Sequence, residues 1–265
     1  MRSRGCSWII SLIILASASM AWHHELFAAT LHVGPGGYGT IQSAIDAAVD
    51  SDVVIVADGV YSGEGNKNLD LLGKSITVRS EHGQESCTID VGGIGWGFNL
   101  RSGETNSAEI LGFLICNASS SGISCRSSSP VISNCQIRDS KNESGNGGGI
   151  TCIGSSAKII GCRIEGNVGQ YGGGIYCEDS PVEISGCTIT GNSVGFGRGG
   201  GIYCKGSAPV IRNCTISGNS AILGLGVAYV DVLKNGGGGI YCEGSSPLIS
   251  GCAVTGNQSV GIWIP

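Results

Sequence analysis

Residues 171–192 read YGGGIYCEDSPVEISGCTITGN, and this stretch decides the fold because close copies of it recur along the chain. It places two cysteines ten residues apart, an isoleucine between them, and an asparagine five residues after the second cysteine. Four further copies keep the offsets of the cysteines and the isoleucine, and only the distance from one copy to the next varies freely. A repeat of roughly 20–50 residues is typical of a solenoid or another stacked array.

The five units share three kinds of fixed position. The cysteine pairs are Cys125 and Cys135, Cys152 and Cys162, Cys177 and Cys187, Cys204 and Cys214, and Cys242 and Cys252. The isoleucines seven residues after the first cysteine are Ile132, Ile159, Ile184, Ile211 and Ile249. The asparagines are Asn167, Asn192, Asn219 and Asn257, with Ser140 in the first unit. We expect the asparagines to stack as a hydrogen-bonded ladder at one bend.

One unit has the spacing of three short strands joined by bends. Apolar residues two apart, such as Ile175 and Cys177, face the same side of a strand. The other two pairs of this unit are Val182 with Ile184 and Cys187 with Ile189. The step of three from Ile184 to Cys187 breaks the alternation and predicts a bend at 185–186. The sequence therefore predicts an all-β fold, a right-handed parallel β-helix solenoid with three short strands per coil.

The N-terminal region predicts export and a cap. Two arginines precede an apolar run over 7–21 with small-residue cleavage sites after it, which indicates a signal peptide over 1–29. An uncleaved anchor is the alternative, but the run is shorter than the roughly 20 residues that span a membrane, so we expect no membrane span after cleavage. Helical spacing over 40–52, with Thr40 as N-cap, predicts a helix that covers the first coil.

Residues 30–265 are expected to form a single domain, with the regular cysteine-containing coils over 123–265. The last residues, GIWIP, stop inside the sequence of a further strand, so we expect the chain to be truncated at its C-terminus. The 265 residues include 47 glycines, only 13% are charged, and the net charge is −5. Such a composition is typical of a turn-rich repeat protein. No stripe of Lys and Arg is present, which argues against binding to nucleic acid.

The cysteines allow three interpretations. As small hydrophobic residues they fill the interior of the coils. In an exported protein they could instead form disulfides, within a coil or between coils. Metal binding is the third interpretation, but the spacing never gives a Cys-x-x-Cys pair, and we predict no metal site.

The segments TIQSAIDAAVDSDVVIVADGVYSGEG (40–65) and GKSITVRS (73–80), followed by the GGGIYC units, carry a resemblance to a known family. Over 31–265 the chain resembles the exported right-handed parallel β-helix repeat proteins of the pectin-lyase-like superfamily. Its repeats are also similar to passenger repeats of polymorphic outer-membrane proteins. The superfamily includes polysaccharide lyases, hydrolases, epimerases and adhesins, so the resemblance implies the fold and leaves the activity open.

The residue between the paired isoleucine and cysteine of each unit points out of the coil; it is Ser124 and Thr151 in the first two units and aromatic in the later ones. The ligand-binding candidates of this aromatic column are Tyr176, Tyr203, Tyr241 and Trp263. Stacked aromatic rings on an open sheet face hold sugar rings, so we predict a carbohydrate-binding face here. The alternative is an aromatic ladder that only stabilises the sheet.

Catalytic candidates are few. Glu178 and Glu183 could approach one another around one coil, with Arg198 or Lys205 nearby. The resemblance implies that a lyase would need clustered carboxylates for Ca²⁺ and a basic residue, whereas a hydrolase needs two carboxylates facing one bond. The scattered acids predict no catalytic site, and no cofactor is expected unless the chain is a Ca²⁺-dependent lyase.

The sequence thus predicts an exported, non-catalytic, monomeric scaffold, secreted, on the cell surface or in the periplasm. Its expected partner is a polysaccharide or a cell-surface molecule. The alternative is a carbohydrate-active enzyme, namely a polysaccharide lyase, a hydrolase or an epimerase.

Overall fold

The computed structural model describes residues 28–143, 145–195, 197–221, 236–258 and 261–264. The chain forms a right-handed parallel β-helix with three long sheets, as the repeat predicts. Most of the predicted signal peptide lies outside the described residues, as do residues 222–235 of an insertion (221–235) that lengthens the unit of Cys204. No helix in the described part of the chain is long and apolar enough to cross a membrane.

Each long sheet collects the equivalent strand of successive coils. The first sheet contains Thr30–Val33, Val53–Val56, Thr77–Ser80, Glu109–Leu111, Val131–Ser133, Lys158–Ile160, Glu183–Ser185, Val210–Arg212 and Leu248–Ser250. The second contains Gly59–Ser62, Cys87–Asp90, Leu114–Cys116, Gln136–Arg138, Arg163–Glu165, Thr188–Thr190, Thr215–Ser217 and Ala253–Thr255. The third contains Phe98–Leu100, Ile123–Arg126, Ile150–Ile153, Ile175–Glu178, Ile202–Lys205, Ile240–Glu243 and Ile262–Trp263. A fourth, small sheet contains Lys141–Asn142, Val168–Gly169 and Ser193–Val194.

The bends between the first and second sheets lie where the step of three residues places them. Asn134, Gly161, Gly186, Asn213 and Gly251 all have positive φ, between 48° and 63°. Glycine and asparagine adopt this left-handed conformation at the lowest cost. The bends therefore follow directly from the sequence.

A helix covers the first coil, as predicted. It spans Ile41–Ala47, and Thr40 caps it by accepting a hydrogen bond from the Ser43 N–H. Its buried residues face the interior of the solenoid. The open end of the first coil is thereby covered, as stacked repeats require.

The predicted helix over 40–52 is too long. Ala48 is already extended, with φ −67° and ψ 152°. The Asp52 carboxylate accepts hydrogen bonds from the Val49 N–H at 2.8 Å and from the Ala29 N–H at 2.7 Å. These bonds turn the chain towards its next strand, and they leave Val49 exposed rather than in the core.

The twelve described cysteines are free thiols in the structure, and eleven of them are buried. This favours their interpretation as small core residues over the disulfide alternative. The second cysteine of a unit also forms a hydrogen bond to the bend before it. Cys187 Sγ donates to Ser185 O at 3.4 Å, and Cys214 Sγ donates to Arg212 O at 3.2 Å. Burial raises the pKa of Cys87 to about 12, which keeps that thiol neutral.

The asparagines form the expected ladder. Asn192 Nδ2 donates to Asn219 Oδ1 at 3.0 Å and to Ile164 O at 2.9 Å. Its own Oδ1 accepts from the Asn167 N–H and Nδ2, each at 3.0 Å. Asn167, Asn192 and Asn219 are fully buried, so the ladder satisfies polar groups that water cannot reach.

A second ladder, of serines, joins the third sheet to the first. Each serine accepts a hydrogen bond from the backbone N–H of its equivalent in the coil before. Ser180 Oγ accepts from the Ser155 N–H, Ser207 Oγ from the Ser180 N–H and Ser245 Oγ from the Ser207 N–H, all at 3.0 Å. The asparagine ladder spans Asn167 to Asn257 and the serine ladder Ser155 to Ser245, and both hold consecutive coils in register.

Replacing Ser140 with asparagine is expected to extend the asparagine ladder by one rung and to stabilise the fold by about 1 kcal/mol. Ser140 is buried, and its Oγ has no hydrogen-bond partner among the described residues. An asparagine there would reach Ile115 O, the equivalent of the carbonyl that Asn167 binds. Urea unfolding measures the change, and a loss of stability of the same size would contradict the equivalence of these coils.

Candidate functional site

The predicted aromatic column exists and stands in strict register. Tyr176, Tyr203, Tyr241 and Trp263 are consecutive partners on neighbouring strands of the third sheet. The three tyrosine rings stack with centroids 5.4 Å apart and interplanar angles of 5° and 9°. They point away from the main core and form a separate apolar cluster with Ile153 and Tyr171.

The three tyrosines do not form the open face that the sequence predicted. They are only 2–3% exposed. The turn before each strand covers the tyrosine of the coil that follows, because Tyr171 packs on Tyr203 at 5.1 Å and the Arg198 guanidinium lies 4.9 Å from the centre of the Tyr241 ring. A sugar ring therefore cannot stack on these side chains, and the interpretation of Tyr176, Tyr203 and Tyr241 as an exposed stacking surface is wrong.

Glycines let the turns approach this closely. At Gly199, where φ is 70°, an added Cβ would lie 2.8 Å from the Tyr203 Cβ. At Gly237 the same distance to the Tyr241 Cβ is also 2.8 Å. These two glycines thus let each turn pack directly against the tyrosine of its own coil.

The phenol groups bind charged side chains at the edge of the column. Tyr176 Oη donates to Glu178 Oε2 at 2.9 Å, and Tyr203 Oη donates to Glu243. Arg198 Nη1 donates to Tyr241 Oη at 2.5 Å. Burial, and then the neighbouring carboxylates, raise the pKa of Tyr176 and Tyr203 above the ordinary tyrosine range. Both phenols therefore stay protonated and act as donors to their carboxylates.

A row of longer side chains lies beside the tyrosines and faces solvent. We call its charged members the charged row; they are Arg126, Glu178, Lys205 and Glu243, and Ile153 holds the same position in one coil but packs against the tyrosine cluster. Lys205 Nζ lies 2.7 Å from Glu178 Oε1, and the two side chains are 49% and 26% exposed. Lys205, and then Tyr176, lower the pKa of Glu178, while Glu178 raises the pKa of Lys205. Both groups are charged across the neutral range.

The structure does not bring the four catalytic candidates together. Glu178 binds Lys205 and Tyr176, whereas Glu183 belongs to the first sheet and is paired in register with Lys158. Arg198 contacts Tyr241 instead of a carboxylate. Only Glu178 and Lys205 meet, as an ion pair. Among the described residues, no group of three or more His, Cys, Asp and Glu side chains is placed to hold a metal ion.

Comparison with known families assigns the fold. The family model described as the right-handed beta helix region matches residues 96–264. The chain belongs to the right-handed β-helix family. Comparison with curated protein sequences finds no match.

Among solved structures, this β-helix is similar to pectate lyase Pel9A, with a TM-score of 0.62 and 14% identity over 86% of its own length. It spans 64% of that lyase chain. It is also similar to a pectin methylesterase in complex with a hexasaccharide, with a TM-score of 0.51, 14% identity, and 83% and 78% of the two chains covered. A pectin methylesterase from Aspergillus niger gives a TM-score of 0.50 and 16% identity, with 88% and 87% covered. At these identities the similarity shows a pectin-lyase-like fold alone.

Two polar pairs of the β-helix were not predicted from the sequence. His82 Nδ1 lies 3.1 Å from Asp58 Oδ1 at an exposed corner, beside a cavity of about 400 Å³. Asp70 and Glu104 meet at Ser102, close to the cap helix. The separation of 24 residues between Asp58 and His82, one coil length, was a usable signal. The second pair lies in irregular coils where no repeat predicts it.

Proposed function

We propose that this β-helix is an exported, non-catalytic protein that binds a polysaccharide along the charged row of the third sheet. The observation that carries the proposal is the pairing of that row with a buried, hydrogen-bonded tyrosine column. Side chains held in fixed positions lose less conformational entropy when they bind a ligand. The rigid tyrosine column therefore favours ligand binding by the charged row beside it.

The charged row has the chemistry that sugar hydroxyls require. Glu178 and Glu243 accept hydrogen bonds, whereas Arg126 and Lys205 donate them. Neighbouring rungs of a parallel sheet lie about 4.8 Å apart, so an extended polymer that follows the solenoid axis meets a polar side chain on most rungs. Trp263 is half-buried and continues the aromatic column, and its ring supplies the stacking surface that the tyrosines lack.

The similar structures support the choice of ligand class. They are a pectate lyase and pectin methylesterases, and one of them holds a hexasaccharide. The apolar N-terminal run supports export, which would bring the protein to such polymers. Catalysis is left out of the proposal because Glu178 and Glu183, the two candidate carboxylates, lie on different sheets, and Glu178 is paired with Lys205.

Binding to a panel of immobilised plant and microbial polysaccharides tests the proposal. We expect wild-type protein to bind at least one polymer, and Trp263→Ala and Lys205→Ala to weaken that binding by about tenfold or more, as loss of one or two polar or stacking contacts would. Arg163→Ala, on the second sheet, is the control and should bind like wild type. The proposal fails if no polymer binds, if the control weakens binding equally, or if the protein degrades the polymer it binds.

A further inference from the structure

Two carboxyl groups meet where the cap helix joins the coils. Ser102 Oγ donates to Asp70 Oδ2 at 3.0 Å, and the Ser102 N–H donates to Glu104 Oε2 at 3.2 Å. One serine thus holds both acids side by side. Neither acid forms an ion pair with a Lys or Arg side chain within the described ranges.

Glu104 is the member of the pair that keeps its charge. It is 2% exposed, and its carboxylate also accepts from the Gly73 N–H at 3.0 Å and from Ser128 Oγ at 2.6 Å. Burial acts to raise the pKa of Glu104, but the hydrogen bonds from Ser128 and Gly73 outweigh it and lower the pKa. Three donors therefore favour the ionised form of a buried acid.

Asp70 is the member that takes up a proton. It is half-buried, and its Oδ1 accepts from the Leu72 N–H at 3.0 Å. Burial, together with the adjacent Glu104, raises the pKa of Asp70. Because two like charges held by the same serine repel each other, a single proton shared between the two acids stabilises them.

The same segment holds the cap helix. The Gln42 side chain bonds both backbone groups of Asp70, accepting from its N–H and donating to its C=O, each at 3.0 Å. Gln42 Nε2 also donates to the Asp46 carboxylate at 2.9 Å. Lys74 Nζ donates to Ile45 O at 2.7 Å and to Asp46 O at 2.9 Å. Asp46 and Lys74 are thus the charged groups that the helix and the following turn place near the pair.

We propose that the Asp70–Glu104 pair is a proton-operated latch that holds the cap helix on the first coil more firmly in mildly acidic than in neutral solution. The pKa of Asp70 is raised by folding, so its contribution to stability is present at low pH and is lost as the pH rises through the raised value. The pKa of Glu104 is lowered, so its contribution is lost only as the pH falls further. Between these two pKa values the acids share one proton, and the cap helix is held on the first coil. This inference does not depend on polysaccharide binding.

Hydrogen exchange of the cap-helix amides tests the latch directly. After correction for intrinsic exchange, the protection of 41–47 in wild type should be about fivefold or more lower at pH about 8 than at pH about 4, because the raised pKa of Asp70 makes its contribution disappear as the pH rises. In Asp70→Asn the amide donates to Glu104 at every pH, so protection should stay constant and exceed that of wild type at the higher pH.

Asp90→Asn is the matched control. Asp90 accepts from the Gly92 N–H as Asp70 does from the Leu72 N–H, but the Asn117 amide lies beside it instead of a carboxyl. This variant should keep the pH dependence of wild type. If Asp70→Asn does not fold, carboxyl NMR titration of wild type decides. An Asp70 that titrates at its ordinary pKa, or a helix equally protected at both pH values, would overturn the proposal.

Discussion

Replacing Gly173 with alanine is expected to destabilise the β-helix by about 3 kcal/mol, near the upper end of overpacking costs. The added Cβ would lie 2.4 Å from Ser193 O and 2.6 Å from Gly200 O. Both atoms belong to the backbone of the following coil, which cannot move aside without breaking the stack. Urea unfolding of the variant gives the change in the free energy of unfolding.

Gly195→Ala is the matched control for this prediction. A Cβ at Gly195 meets no non-neighbouring atom of the described residues within 4 Å, and the residue is not among those with positive φ. The substitution should change stability by less than about 0.5 kcal/mol, as is usual at open surface positions. Equal effects of the two alanines would show that the glycines are not selected by close packing of the turns.

Replacing Asn192 with alanine is the second large effect, with an expected loss of about 3 kcal/mol. The variant leaves the buried N–H and side-chain amide of Asn167 without their acceptor and Ile164 O without its donor. Each unsatisfied buried polar group costs about 1–3 kcal/mol. Thermal and urea unfolding both report this loss.

Asn257→Ala removes the same kind of contact at the end of the ladder. Asn257 is only half-buried, so water can replace part of what its side chain provides to Asn219. We expect about half the effect of Asn192→Ala. An effect as large as that at Asn192 would contradict the dependence on burial.

The fold could be predicted from the sequence because its determinants are local and repeated. Ile184 and Cys187 show the strand spacing and the bend directly, and the same offsets recur in every regular unit. The serine ladder was also readable, because Ser155, Ser180 and Ser207 each follow the first cysteine of their unit by three residues. The length of the cap helix was not readable, since the bonds of Asp52 end it, and they depend on tertiary structure.

The candidate site was only partly predictable for the same reason. The alternation of Ile175, Tyr176 and Cys177 correctly shows that the tyrosine points out of the coil. The burial of Tyr203 and Tyr241 depends on Tyr171 and Arg198, each of which covers the ring of the following coil. No sequence pattern within one unit predicts a contact between a turn and the tyrosine of a different coil.

The binding role of the charged row is tested most directly by neutralising two matched ion pairs. Lys205–Glu178 on the third sheet and Arg163–Glu165 on the second have similar exposure, 49% and 26% against 52% and 26%. One double variant is Lys205→Met with Glu178→Gln, and the other is Arg163→Met with Glu165→Gln. Both keep the net charge, and surface pairs of this kind contribute little to stability. Calorimetric titration with a polysaccharide that the wild type binds should show at least tenfold weaker affinity for the first variant alone. Equal affinities of the two variants would contradict polysaccharide binding at the charged row.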